Sequence, residues 1–238
     1  MIDPEFFVSP SRLNLAAVQA LTAPTASYEK SPDPRAVLRK GLIEEVAEYA
    51  WEIAQGRETD KDQIEGEIGD VLWYISEISR YHNATILGLE AYQSLDDFQT
   101  QSKADDIIPI VDSDGANVDV QDQSHIALAV TALRVVDVLN PKNEDLWLPT
   151  RQRESLEKAL GDLLTTSSLV ALKYSVKLSD ALHHTTVKLS NRERNPRVID
   201  EVQQNTLMSS MRQRLNIHPF ISKLLLGTLS AETSTEEN

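Results

Sequence analysis

Two groups of acidic residues in the first third of the chain have the spacing of a metal site. Glu44, Glu45 and Glu48 lie in one helical stretch, and Glu67 and Asp70 lie in the next. Residues three or four positions apart share a helix face, so two antiparallel helices could direct these carboxylates into one cleft. Close carboxylates repel each other by about 4 kcal/mol per pair at an effective dielectric of roughly 20. A divalent cation relieves that repulsion, and Mg²⁺ prefers carboxylate and water oxygens.

Zinc and a purely solvated acidic face are the alternatives to this interpretation. The sequence has no Cys, and no His stands beside these acids, which disfavours zinc. A single acidic run is usually a solvated helix face, but both acidic strips here lie beside the apolar stripe of consecutive helices. Metal ions held between such acids and a phosphate chain can activate water. The pattern therefore favours phosphoanhydride hydrolysis.

The helices that must position these acids follow from apolar residues at 3.6-residue spacing, which predict an all-α protein. Asp33 and Pro34 are suited to starting the second helix, and Gly56 to capping its C-terminus. The third helix should begin near Asp60 or Asp62. The predicted helices cover residues 11–21, 34–55, 60–81, 85–95 and 126–139.

A polar segment rich in Asp, Ser and Gln divides the chain. We predict a first helical unit in residues 1–97, a linker in 98–123, a second unit in 124–230 and a disordered tail in 231–238. Two units of similar size suggest duplication of a helical module.

The second unit resembles the first in sequence. LEKALGDLL matches IEGEIGDVL, so that Asp162 aligns with Asp70, while Ala159 stands where Glu67 stands. The helix at 126–139 offers one carboxylate, Asp137, in place of the three acids of the first motif. Because most of the acids are not kept, we expect a degenerate second repeat that forms a pseudo-dimer with the first.

Composition and charge exclude several classes of function. The net charge is −14, from 37 acidic and 23 basic residues, which opposes binding to polyanionic nucleic acids or membranes. No apolar run approaches the roughly 20 residues that span a bilayer. The N-terminal MIDPEFFVSP lacks the features of a secretory signal. We therefore expect a cytoplasmic protein without a membrane span.

Together, the two acidic motifs resemble those of the MazG-type all-α nucleoside triphosphate pyrophosphohydrolases. The resemblance rests on Glu44-Glu45-x-x-Glu48, 18 intervening residues, and Glu67-x-x-Asp70 followed by Val-Leu-Trp-Tyr. It covers about residues 10–95, and the weak second repeat extends it to about 193. It implies an antiparallel helical bundle that hydrolyses an NTP or dNTP to the monophosphate and pyrophosphate with Mg²⁺, or with Mn²⁺ as the alternative.

The resemblance also implies roles for the acids. Glu45, Glu48, Glu67 and Asp70 match the family's metal ligands. Glu44 matches the remaining acid, which would orient or deprotonate the attacking water. Attack at the α-phosphorus would then release pyrophosphate.

Aromatic and polar residues near the end of the third helix are candidate substrate contacts. Tyr74 and Trp73 could stack on a base, with a place in the core as the alternative. His82 and Asn83 could contact the sugar or the base.

The basic element that is usual in the resembled family is missing from the first repeat. Lys188, Arg192 and Arg194 in the second repeat resemble it, so we predict that the second repeat supplies cations to the first repeat's site. The alternative is that these bases only decorate a helix C-terminus.

Two other functions are consistent with the sequence: an inactive helical scaffold or regulatory protein, and a related dUTP-type or phosphoribosyl-ATP-type phosphohydrolase. The sequence leaves open the preferred base and sugar, the pathway, and the choice between a monomeric pseudo-dimer and a homodimer.

Overall fold

A computed structural model describes residues 15–54, 60–102, 124–140 and 150–194, and every regular element in these ranges is a helix. This confirms the prediction of an all-α protein. The α-helices are α1 Leu15–Thr22, α2 Pro34–Ala54, α3 Lys61–His82, α4 Leu95–Gln101, α5 Ser124–Leu139, α6 Thr150–Lys173 and α7 Leu178–Arg194. Short 3-10 turns cover Ala23–Thr25, Ser27–Lys30 and Leu89–Ala91. In the part of the chain described, no helix is long and apolar enough to cross a membrane.

Local capping explains where the two acid-bearing helices begin. The Asp33 carboxylate accepts a hydrogen bond from the Ala36 N–H at 3.0 Å, and Pro34 is the first residue of α2. The Asp60 carboxylate accepts one from the Gln63 N–H at the start of α3. Both predicted starts are confirmed. The predicted end of α2 at residue 55 and its cap at Gly56 lie outside the described residues.

The predicted helix at residues 85–95 is wrong. Gly88 adopts φ +94°, a left-handed conformation that interrupts a helix. The Thr85 and Leu87 N–H groups bond to the side chain and backbone of Glu157 on α6, instead of to their own turn. Only a 3-10 turn forms there, and α4 then begins after the N-cap Ser94. This helix ends at Gln101 and so passes the predicted boundary at residue 97.

The helices of both halves share one hydrophobic core. In that core α2 packs against α3 and α5, while α3 also packs against α6 and α7. Tyr49 and Ser124 exchange a hydrogen bond at 3.0 Å, and Arg39 donates one to Asn140 at 3.3 Å, which sets α2 and α5 antiparallel. The two halves are therefore packed as one bundle.

The ends of α3 and α6 have the same geometry. Asn83 and Ser175 are the left-handed residues that follow these helices, with φ 47° and 55°. In each case the next N–H, of Ala84 or Val176, bonds at 2.9 Å to a carbonyl in the last turn of the preceding helix. The two caps are 92 residues apart, as are Asp70 and Asp162. The geometry is what a repeat would give, while the pseudo-dimer itself stays a prediction.

A buried carboxylate holds the N-terminal segment against α3. Glu77 is fully buried, accepts hydrogen bonds from Tyr28 at 2.8 Å and Arg80 at 2.7 Å, and contacts Thr22. Burial, followed by the bond to Glu77, raises the pKa of Tyr28. The network links α1 and the turns after it to α3, which carries two of the five motif acids.

Candidate metal centre

Three carboxylates converge where α2 lies against α3. One oxygen from each of Glu45, Glu67 and Asp70 lies within 4.8 Å of the others, and we call these three residues the acid cluster. Glu67 is 7% exposed and Asp70 is 9% exposed, while Glu45 is half-buried. The cluster is therefore largely shielded from water.

The acid cluster lacks enough positive charge to keep all its members ionised near neutral pH. Burial, then repulsion from Asp70, Glu48 and Glu67, raises the pKa of Glu45 to about 9. Burial, then repulsion from Glu48 and Asp70, raises the pKa of Glu67 to about 7. A divalent cation would reverse both shifts by favouring the ionised carboxylates.

Hydrogen bonding at Glu67 also fits a metal ligand. Its Oε1 accepts a bond from the Gln63 side chain at 2.9 Å. Its Oε2 is buried and forms no hydrogen bond within the described part of the chain. A buried carboxylate oxygen without a donor is costly, and a hard cation would satisfy it. The three residues thus suit a cation that prefers oxygen ligands.

Glu44 and Glu48 lie beside the acid cluster. Glu48 is near enough to raise the pKa of both Glu45 and Glu67, but it is not one of the three converging residues. Glu44 forms an ion pair with Lys40 at 3.7 Å, and burial raises its pKa. Of the two predicted ligands on α2, Glu45 belongs to the acid cluster and Glu48 lies beside it. Glu44 is paired with Lys40 and occupies an outer position.

Helix α7 brings the second half of the chain to the acid cluster. Thr185 donates a hydrogen bond to Asp70 at 2.8 Å, and the Lys188 ammonium contacts the other oxygen of Asp70. Gly69 allows this approach, because a Cβ there would lie 2.2 Å from the carbonyl oxygen of Ala181. Lys188 therefore lies beside the acid cluster, while its predicted contribution to the first repeat's site stays a prediction. The side chains of Arg192 and Arg194 lie outside the described set.

Trp73 and Tyr74 pack into the bundle. The Trp73 indole donates a hydrogen bond to Thr25 at 2.8 Å, and its side chain is buried. The Tyr74 hydroxyl lies against Gly41, where an added Cβ would be 2.0 Å from the phenolic oxygen. Burial, then the charge of Glu45, raises the pKa of Tyr74. These placements favour the core alternative over base stacking.

His82 and Asn83 lie at the far end of α3. Asp70 and His82 are separated by roughly 18 Å along the axis at 1.5 Å per residue. Burial, then the charge of Arg35, lowers the pKa of His82 to about 4. Asn83 is the left-handed cap of the helix. The structure does not bring these two candidates into the acid cluster.

Three residues at the site were missed by sequence reasoning. Gln63 stands four residues before Glu67, a helical spacing that could have identified it. Thr185 and Gly41 meet their partners only through packing between helices, so no local pattern indicates them.

The described residues define an all-α protein with three converging carboxylates between α2 and α3. Residues 34–91 match the model of the MazG nucleotide pyrophosphohydrolase domain. This segment includes α2, α3 and all five acids, so the match confirms the resemblance drawn from the motifs for this part of the chain. Comparison with curated proteins and with solved structures gave no match. The match points in general terms to hydrolysis of nucleotides.

The surroundings of two helical glycines predict opposite effects of substitution, because Gly41 lies against Tyr74 and Gly66 faces open space. Gly41→Ala should lower the free energy of unfolding by about 1–3 kcal/mol, because the methyl group displaces the Tyr74 ring. Gly66→Ala has open space and should stabilise the helix by up to about 1 kcal/mol. Urea denaturation of both variants measures the difference, and equal stabilisation by both would contradict the packing.

The raised pKa values predict how pH affects the metal-free protein. In the presence of a chelator, Tm should fall as pH rises from about 5 to about 9. At these pH values the folded state retains protons on Glu67 and Glu45 that the unfolded chain has lost. As the pH rises towards their folded-state pKa values of about 7 and about 9, the two carboxyls ionise and the folded state loses stability. Saturating Mg²⁺ should reduce the decline. Glu45→Gln should also reduce it, and an equally steep decline in that variant would refute this origin.

Proposed function

We propose that this protein hydrolyses a nucleoside triphosphate, ribo or deoxy, to the monophosphate and pyrophosphate. The observation that carries the proposal is the convergence of Glu45, Glu67 and Asp70 within the segment that matches the MazG domain. We further propose that these three residues, joined by Glu48, bind Mg²⁺, with Mn²⁺ as a substitute.

The proposed mechanism separates cation binding from proton transfer. The cation, when bound, would neutralise charge on the phosphate chain and lower the pKa of a bound water. Glu44 would orient the attacking water and accept its proton. Its outer position and raised pKa fit a general base, because burial makes this carboxylate more basic than an exposed one.

Lys188 has two roles in this proposal. In the metal-free protein its ammonium compensates Asp70. When a cation takes over that compensation, Lys188 would be released from Asp70 to bind a phosphate oxygen of the substrate. Its side chain is 31% exposed, so it can move between the two partners. Thr185 would keep Asp70 oriented during the exchange.

We propose that both halves of one chain build this site as a pseudo-dimer. Support comes from the matching caps of α3 and α6 and from the contacts of α7 with Asp70. A homodimer of such chains is compatible with the same site.

The proposed reaction predicts pyrophosphate release from at least one member of a panel of ribo- and deoxynucleoside triphosphates. Release should require Mg²⁺ and should fall by at least about 100-fold in Glu45→Gln, which removes a ligand charge. Glu90→Gln, the same change at an exposed glutamate outside the acid cluster, is the matched control and should retain activity. In ¹⁸O-labelled water, the label should appear in the monophosphate, because attack is at the α-phosphorus.

Other products would identify the alternatives. Orthophosphate as the product, or label in pyrophosphate, would contradict the proposed reaction and indicate a different phosphohydrolase. No turnover of any triphosphate would support an inactive scaffold.

The role of Lys188 predicts that Lys188→Ala lowers kcat/KM by about 10-fold or more, the usual effect of losing a charged hydrogen bond to substrate. The same substitution should leave Mg²⁺ affinity equal or higher, because Asp70 loses a competing partner. Steady-state kinetics and metal titration measure both effects. Lys177→Ala, at an exposed lysine between α6 and α7, is the matched control. Unchanged kcat/KM in Lys188→Ala would contradict the role.

A further inference from the structure

A cavity of about 300 Å³ lies against α6. It shares no lining residue with the acid cluster, and we call it the second cavity because it lies apart from that site. One face of α6 supplies Lys158, Asp162 and Thr165 to its wall. The opposite wall includes Tyr92, which follows the 3-10 turn, and Phe98 on α4. Residues from both halves of the chain therefore line it.

The wall formed after α3 is held directly on α6. The Glu157 carbonyl accepts a hydrogen bond from the Leu87 N–H at 3.3 Å, and its carboxylate accepts one from the Thr85 N–H at 3.1 Å. Gly161 permits the contact, because a Cβ there would lie 2.6 Å from the Leu87 carbonyl oxygen. This side of the cavity is consequently fixed.

The wall formed by α4 is fixed by buried polar contacts. The Gln99 side chain donates to the Val176 carbonyl at 2.8 Å and accepts from the Leu178 N–H at 3.1 Å. Asp96 accepts a hydrogen bond from the Ser179 hydroxyl at 3.0 Å. Since both walls are held by hydrogen bonds, the cavity exists before any ligand binds, which lowers the cost of binding.

The chemistry of the lining suits a small anion that carries an aromatic ring. Tyr92 and Phe98 pack edge to face, with ring centroids 5.3 Å apart, and offer an apolar aromatic surface. Asp162 is compensated by Arg134 at 3.6 Å. Lys158 is exposed and forms no ion pair within the described ranges, so one positive charge is left for a ligand.

Alignment with the first repeat shows how the charges along α6 differ from those along α3. With Asp162 aligned to Asp70, Ala159 takes the place of Glu67 and Lys158 takes the place of Gly66. One acidic position is lost at Ala159 and one cation is gained at the adjacent Lys158, which shares a helix face with Asp162. The second repeat therefore carries one positive charge beside its aspartate, where the first repeat carries a second carboxylate.

We propose that the second cavity binds a nucleoside monophosphate, with the base against Tyr92 and Phe98 and the phosphate at Lys158. Its volume is at the lower end of the range for small-molecule pockets, roughly 300–1,000 Å³. A triphosphate would bring more negative charge to Asp162 than a single lysine compensates. The choice of a monophosphate rests in part on the proposed function, because it is the product of that reaction.

The test is calorimetric titration of the full chain with AMP, GMP, CMP and TMP in the presence of a chelator, so that no metal is held at the acid cluster. We expect one monophosphate to bind at one site per chain. Lys158→Gln should weaken binding by about 10-fold or more, since a charged hydrogen bond is lost. Lys173→Gln, at an exposed lysine on the same helix outside the cavity, should not weaken it.

Each result separates this proposal from the proposed function. No binding of any monophosphate, equal binding of inorganic phosphate alone, or binding unaffected by Lys158→Gln would overturn the second site. Pyrophosphate release could still occur in that event. Conversely, a failed hydrolysis assay would leave the chelator titration unchanged and would overturn only the reaction.

Discussion

The crowding of carboxylates between α2 and α3 is the constraint on which the rest of the structure depends. Glu45, Glu67 and Asp70 are drawn together in a shielded position, where burial, followed by repulsion from neighbouring carboxylates, raises the pKa of Glu45 and of Glu67. The repulsion also opposes close packing of the two helices. The shared core of both halves keeps the helices together despite this repulsion. Buried carboxylates with so little compensating charge are costly to the fold.

Helix α7 shows how the second half of the chain serves the first. Gly69 lets α7 approach α3 closely, so that Thr185 bonds to Asp70 and Lys188 lies against the same carboxylate. One carboxylate thus receives a hydroxyl and an ammonium group from the same helix. This arrangement places a positive charge from the second half of the chain beside the acids of the first.

Local patterns predicted the features that local physics controls. Asp33 and Asp60 cap helices whose apolar periodicity was clear, and the acidic spacing identified the residues that converge. The helix expected at 85–95 failed because tertiary hydrogen bonds to Glu157 replaced those of a helix, and no local pattern reports them. For the same reason, the sequence could not place Thr185 at Asp70 or separate Glu48 from the converging acids.

The most direct test of the metal centre is a titration of the protein with Mn²⁺, in which the electron paramagnetic resonance signal of the free ion measures how much remains unbound. A metal centre at the acid cluster predicts saturable Mn²⁺ binding to the wild-type chain that is competed by Mg²⁺ and is lost in both Glu67→Gln and Asp70→Asn. Mn²⁺ binding that is unchanged in these variants, or absent from the wild-type chain, would contradict a metal centre at the acid cluster.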